Sequence, residues 1–216
     1  MESTFRDTCP ADLKVIETFG AGADGPVRWD AHRARLDATC RSLGASPDLA
    51  AIDAAIAALD ITAPTRVRLT VDLQGVFEIQ TYPAGPTPDA WCIGLADQVV
   101  DARDPWFQVK TSQRAAYDNA RANLPDGIDE LVFVNQHGHV TEGTITNIFV
   151  EMHGILRTPP VNDGVLPGIL RAKMIADGRA EVGHLTWDDV MASPRVYVGN
   201  SLRGLIKVRS AGDAQG

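Results

Sequence analysis

The chain has 216 residues, 44% of them hydrophobic and 22% charged, and a formal net charge of −8; that is enough for one large or two small globular domains around real cores. The acidic balance argues against non-specific binding to nucleic acid or acidic membranes, and no apolar run approaches membrane-spanning length. Cys9, Cys40 and Cys92 are odd in number and widely spaced, which fits reduced thiols in the cytoplasm rather than a disulfide framework.

The N-terminal heptapeptide lacks a basic stretch followed by an apolar one, so no secretory leader is expected. Leu13–Phe19 alternates as a strand and ends in a Gly-rich loop. Asp30 is a candidate N-cap for a helix through Leu43, stopped by Gly44, and Ser46-Pro47 opens a second helix to about Leu59. Arg66–Val71 and Val76–Tyr82 read as paired strands joined at Gln74-Gly75, and Trp91–Leu95 as another strand. The polar stretch Asp97–Pro105 reads as a hinge, which divides the chain into an N-terminal α+β domain, 1–103, and a C-terminal one, 104–216.

The second half opens with a strand-like run, Trp106–Val109, followed by a helix from Arg114 to about Ala122. A hairpin then spans 131–150 and turns at Gln136-His137-Gly138. A helix starts at Gly168, a short one covers Trp187–Met191, and a strand covers Arg195–Val198. A last apolar stretch, Leu205–Val208, precedes a tail from Ser210 that reads as disordered. The five histidines show neither H-x-x-x-H nor H-E-x-x-H spacing, so no metal site is expected, and His137 and His139 are read as solvated.

Glu142 interrupts an otherwise apolar strand pattern, and a carboxylate there is costly unless something positive meets it. Lys110 follows Trp106, Phe107 and Val109, neighbours that would partly desolvate its amine and keep it nucleophilic. Alone, it would be a surface lysine, and Glu142 an edge-strand acid facing water. Leu166-Pro-Gly168-Ile169-Leu170 offers a helix start whose free N–H groups suit a phosphate. Gly199-Asn200-Ser201 would close a second phosphate loop through the Ser201 hydroxyl. A lysine, a strand-borne glutamate and a glycine-led helix start are the protein parts that a pyridoxal 5'-phosphate site requires.

Lys110–Tyr117, Val140–Phe149, Val165–Arg171 and Gly199–Gly204 together resemble the class IV aminotransferases, the fold-type IV pyridoxal phosphate enzymes. Ile16–Phe19 and His32–Leu36 are similar to the family's first strand and helix, so the resemblance spans about residues 13–208. It implies a two-domain α+β fold like that of D-amino-acid aminotransferase, with the cofactor in a cleft, and a homodimer. It also implies that Lys110 carries the cofactor, that Glu142 meets the pyridine nitrogen and that Arg35 reaches the phosphate. Leu166 then packs near the ring, while Ile169, Leu170 and Ser201 line the phosphate cup. Tyr117 is similar to the residue that meets the phenolic oxygen, although its spacing from the lysine differs. Leu170 replaces a threonine that many members carry, and the N-terminal half is short.

Asn200-Ser-Leu-Arg-Gly-Leu205 resembles the ending of lyase-like members that act on 4-amino-4-deoxychorismate, a route to folate; transaminases tend to carry Gly-Thr-Ala there. The expected reaction is therefore release of p-aminobenzoate and pyruvate from that small amino substrate. The alternative is transamination of a branched-chain or D-amino acid. Arg114 and Arg203 are candidates for a substrate carboxylate, since a guanidinium binds both oxygens. An aminodeoxychorismate synthase is a candidate partner.

Overall fold

The computed structural model describes Phe5 and residues 9–209. Most of the N-terminal heptapeptide, and the tail from Ser210, lie outside these residues. The described chain forms two compact units: one comprises residues up to 86 together with 109–113, the other 87–108 together with 114 onward. The division thus falls after Pro86 rather than at 103/104. The first part of the polar stretch taken as a hinge, residues 97–100, instead ends a strand, because its polar side chains can occupy an exposed sheet face while Ala96 and Val100 point inward.

In the first unit, β1 (Lys14–Gly22) pairs antiparallel with the two-residue β2 (Gly25–Pro26) and with β3 (Thr65–Asp72), which pairs with β4 (Phe77–Pro83). Helix α1 (Trp29–Ser42) starts one residue before the expected cap. Asp30 lies inside it, and the N-cap is Arg28 in a left-handed conformation, φ 57°. Helix α2 (Leu49–Ala57) is capped by Asp48, whose carboxylate accepts the Ala51 N–H at 3.0 Å. The buried alternates Val15 and Phe19 of β1 and Val67, Leu69 and Val71 of β3 face Leu36 and Cys40 of α1 and Ile52 and Ile56 of α2, forming one core.

The second unit holds β5 (Ala90–Val100), α3 (Ala115–Ala122), β6 (Glu130–Asn135), β7 (Val140–Gly143), β8 (Asn147–Met152) and β9 (Ile155–Thr158). After these come α4 (Ile169–Ala176), β10 (Ala180–Val182), α5 (Trp187–Ala192), β11 (Val196–Asn200) and β12 (Gly204–Arg209). The strand order is β10-β9-β8-β11-β12-β5-β6-β7. β7 and β8 are five places apart in that order, about 24 Å in a flat sheet, yet three residues join them, which reach at most about 14 Å. The sheet therefore curls. The run Trp106–Val109 is not a strand: Pro105–Gln108 is a 3-10 turn, set by the fixed φ of Pro105 and by Asp104, whose carboxylate accepts the Trp106 N–H at 3.0 Å. β9 and β10 had no clear sequence signal, since each is short and half exposed.

Leu36 is fully buried between α1 and the first sheet. Leu36→Ala should lower the unfolding free energy by about 2–5 kcal/mol, read as a shift in denaturant midpoint without a change in slope.

Candidate active site

The second unit builds its site from a turn. Glu130, at the start of β6, is fully buried and accepts the Thr144 N–H at 3.0 Å and the Ile145 N–H at 3.2 Å. It also accepts the Thr146 hydroxyl at 3.0 Å and that of Thr144, while the Arg121 guanidinium lies 3.6 Å away. A Cβ on Gly143 would come within 2.8 Å of Glu130, so the chain must be bare there. This clamp fixes residues 143–147, and with them the end of β7, where Glu142 sits.

Glu142 is 4% exposed. One of its oxygens accepts the Tyr117 hydroxyl at 2.7 Å and the other accepts the Asn147 side-chain amide at 2.9 Å. The same amide nitrogen donates to the Leu166 carbonyl at 3.1 Å. Asn147 thereby ties the acid to the loop that leads into α4. A Cβ on Gly168 would collide with the Asn147 side-chain oxygen, which explains glycine at the α4 N-cap. Gly168 supplies no side-chain cap, so the first-turn N–H groups of Ile169 and Leu170 remain available to an anion. The buried Arg171 donates to the Pro159 carbonyl at 2.8 Å. Burial pulls its guanidinium pKa down, while the charge of Glu142 works the other way.

The second loop joins the same turn. Asn200 donates to the Ile145 carbonyl at 3.2 Å, and its side-chain oxygen accepts the N–H groups of Leu202 (3.0 Å) and Arg203 (2.9 Å). Ser201 lies in this loop, half-buried, and the Arg203 guanidinium lies 5.6 Å from the Trp91 ring centre. Leu170 packs with Phe149, Met174 and Ala180 and sits against Gly199, where a Cβ would meet its methyl at 2.9 Å. The leucine that replaces a threonine is thus an apolar core contact.

Three residues singled out in the sequence have protein partners in this unit. Tyr117 was assigned to the cofactor's phenolic oxygen, but its one proton goes to Glu142, and Phe107 and Phe133 hold its ring edge-on. Arg114 donates to Asp118 at 2.7 Å and to the Thr144 carbonyl at 3.0 Å, so it braces the turn. His139, taken as solvated, is half-buried and meets Asp163, which His184 also contacts.

The first unit carries Lys110 and Arg35, both beside β1. The Lys110 carbonyl accepts the Ile16 N–H and the Lys14 carbonyl accepts the Ser112 N–H, each at 2.8 Å, so residues 110–112 extend the sheet. Lys110 is half-buried. The Arg35 guanidinium donates to both oxygens of the buried Glu17, at 2.8 and 2.7 Å, while His32 meets Glu17 at 2.6 Å. Burial pushes the Glu17 carboxyl pKa up, but the charge and hydrogen bonds of Arg35, then those of His32, outweigh it and leave the group below its usual range.

Glu130, Asn147 and Arg171 escaped the sequence reading. Asn147 lay inside the quoted stretch, five residues beyond Glu142, and its position was the available cue; Glu130 and Arg171 gave none. The donor set fits pyridoxal phosphate: a buried carboxylate is the kind of group that meets a pyridine N–H, and the helix start at Gly168 suits a phosphate.

Residues 14–211 match the family described as amino-transferase class IV. The chain belongs to the class IV aminotransferases. It is therefore an enzyme, in a family that depends on pyridoxal phosphate. It is 28% identical over 187 residues to a Schizosaccharomyces pombe protein with the provisional name aminodeoxychorismate lyase, covering 82% of this chain and 80% of that protein. It is 42% identical over 82 residues to a Methanocaldococcus jannaschii protein provisionally named a branched-chain-amino-acid aminotransferase, but this spans only 38% of the chain and 28% of that relative. A Mesorhizobium loti crystal structure, provisionally an amino-acid aminotransferase, superposes with a TM-score of 0.85 at 32% identity, covering 93% of this chain and all of that one. Among the described residues no helix is long and apolar enough to cross a membrane.

Two pH effects follow. Burial first, and the charge of Glu142 second, push the Tyr117 hydroxyl well above its ordinary value. Above about pH 10 the unfolded chain has lost this proton while the folded chain keeps it, so stability should fall as pH rises. Tyr117→Phe should lack that part of the decline, and absorbance at 295 nm should show one fewer phenolate only once the parent unfolds. Glu17 acts at the other end. Its stabilisation is complete above the ordinary glutamate value of about 4.3 and is lost as pH falls through its lower folded value. Glu17→Gln should flatten the acid slope of unfolding free energy in that window.

Proposed function

We propose that this enzyme is a pyridoxal phosphate-dependent lyase that converts 4-amino-4-deoxychorismate to p-aminobenzoate and pyruvate. The observation that carries the reading is the loop Asn200–Leu205, in which Asn200 fixes the Leu202 and Arg203 amides and anchors itself to Ile145. In this reading Arg203, whose backbone N–H is held by Asn200, would meet a substrate carboxylate. The lyase name of the S. pombe relative, aligned across most of both chains, supports it.

In this reading Lys110 holds the cofactor by its amine, Glu142 meets the ring nitrogen, and the amides of Ile169 and Leu170 receive the phosphate with Arg35 and Ser201. When bound, the cofactor supplies an electron-withdrawing ring that stabilises negative charge at the amine-bearing carbon. Glu142, aimed by Tyr117 and Asn147, would meet the ring nitrogen and favour its protonated form. Lys110 takes the proton from the amine-bearing carbon. The enolpyruvyl group leaves with the electron pair of its C–O bond and regains a proton as pyruvate, while the ring becomes aromatic. Aromatisation drives the step.

A second reading is amino-group transfer from a branched-chain or D-amino acid, favoured by the M. loti structure and the M. jannaschii segment. A homodimer accompanies either reading. Exposed Leu95 and Val99 on β5 support a covered face, and a monomer mass in sedimentation equilibrium would count against it. The free cysteines accord with a cytoplasmic setting. An aminodeoxychorismate synthase performs the preceding reaction, and co-purification tests whether the two associate.

The cofactor-loaded enzyme should release fluorescent p-aminobenzoate from aminodeoxychorismate made in situ. No product there, together with amino transfer from an ordinary amino acid to a keto acid, would replace the lyase by the transaminase. Lys110→Ala should lose the near-visible absorbance of bound cofactor and reduce turnover by about 10²–10⁴-fold. An unchanged band would remove the lysine assignment.

A further inference from the structure

In the second unit, three side chains from distant parts of the sequence converge. His139 stands at the start of β7, Asp163 in a short 3-10 turn and His184 in the loop before α5. His184 Nδ1 lies 2.8 Å from one Asp163 oxygen and His139 Nδ1 lies 3.4 Å from the other. One donor atom from each of the three residues falls within 4.8 Å of the others. The two imidazole rings lie 4.4 Å apart, tilted by 35°.

Their surroundings hold them in place. The buried Asn135 side chain accepts the N–H groups of His137 (2.9 Å) and His139 (3.2 Å) with its oxygen, and donates to the Asp163 carbonyl at 3.1 Å. One amide thus sets the backbone of two of the three residues. Val140 N–H donates to the Leu185 carbonyl at 2.7 Å, and His139 bridges Thr186, which fastens the strip that carries His184. Asp163 is 6% exposed, His139 30% and His184 60%, so the acid is buried while the imidazoles open to solvent.

We propose that His139, Asp163 and His184 form a binding site for a divalent transition-metal ion of the Zn2+ class. The plain alternative is a carboxylate that accepts two imidazole N–H groups. The His139 distance disfavours it, since 3.4 Å exceeds the usual N–H···O range of about 2.7–3.2 Å. By contrast, ligand atoms of a tetrahedral Zn2+ with bonds of about 2.0–2.1 Å lie about 3.3 Å apart. The 3.4 Å His139 distance is already close to that, and the 2.8 Å His184 contact, a hydrogen bond without the ion, opens by about half an ångström when His184 ligates. Two imidazoles and one carboxylate select a borderline ion over Ca2+ or Mg2+, which take oxygen ligands. Three protein ligands leave a position for water, reached from the exposed His184 side. Each imidazole ligates through the lone pair of an unprotonated ring nitrogen, and the bound cation lessens the charge of a chain at −8. The ion would cross-link the β6–β7 turn, the 3-10 turn that leads toward Leu166, and the loop before α5. This site stands apart from the reaction assigned above, and either can fail without the other.

The test uses the full chain, free of any histidine tag and stripped with a chelator. Calorimetric titration with Zn2+ should give one equivalent bound and a rise in melting temperature. His184→Ala removes an exposed ring and leaves the fold intact; it should weaken binding by at least roughly tenfold and abolish the thermal shift. Asp163→Asn should do the same, and His153→Ala should change neither. Mg2+ should produce no shift. Absence of Zn2+ binding overturns the proposal, as does binding that His184→Ala leaves unaltered or a shift of equal size with Mg2+.

Discussion

A carboxylate taken out of water is the constraint around which the second unit is arranged. Glu142 is almost fully buried, and a buried charge persists only where donors replace the lost hydration. Tyr117 and Asn147 supply two such donors, each worth roughly 1.5–3 kcal/mol to a charged acceptor. Because Asn147 also holds the Leu166 carbonyl, the loop before α4 follows the position of the acid. Gly168 is then dictated by the space that Asn147 occupies. Acid, loop and helix start form one mechanical piece.

Beneath that piece lies a second buried acid with a different duty. Glu130 ends its hydrogen bonds within the turn 144–146, and Arg114 and Asn200 hold carbonyls of the same turn. Two neighbouring carboxylates thus differ in duty: Glu130 anchors backbone, while Glu142 is held by two side chains. In the first unit, Glu17 plays the anchoring part, so the Arg35 guanidinium of α1 is fixed by an acid on β1.

Much of this was legible in the sequence where local pattern and local structure agree. The β6–β8 segment, the glycine-led α4 and the loop at 199–204 stand where their residues implied. Contacts across long sequence separation were not legible: Glu130 with Thr144, Tyr117 with Glu142, and His139 with Asp163 and His184 each depend on sheet order. Apolar content misled at Trp106–Val109, where Pro105 and Asp104 impose a turn. Polar content misled at Asp97–Val100, where an exposed strand face carries charge without breaking the strand.

The chain passes from one unit to the other three times, after 86, 108 and 113, because residues 109–113 go back to extend β1. Neither unit is a contiguous gene segment. A truncation at the first passage would strip the lysine's strip of the strand it lies against, so the halves cannot be exchanged between relatives as independent modules. Recombination among such enzymes has to preserve the interlacing, and variation is steered toward loops and side chains.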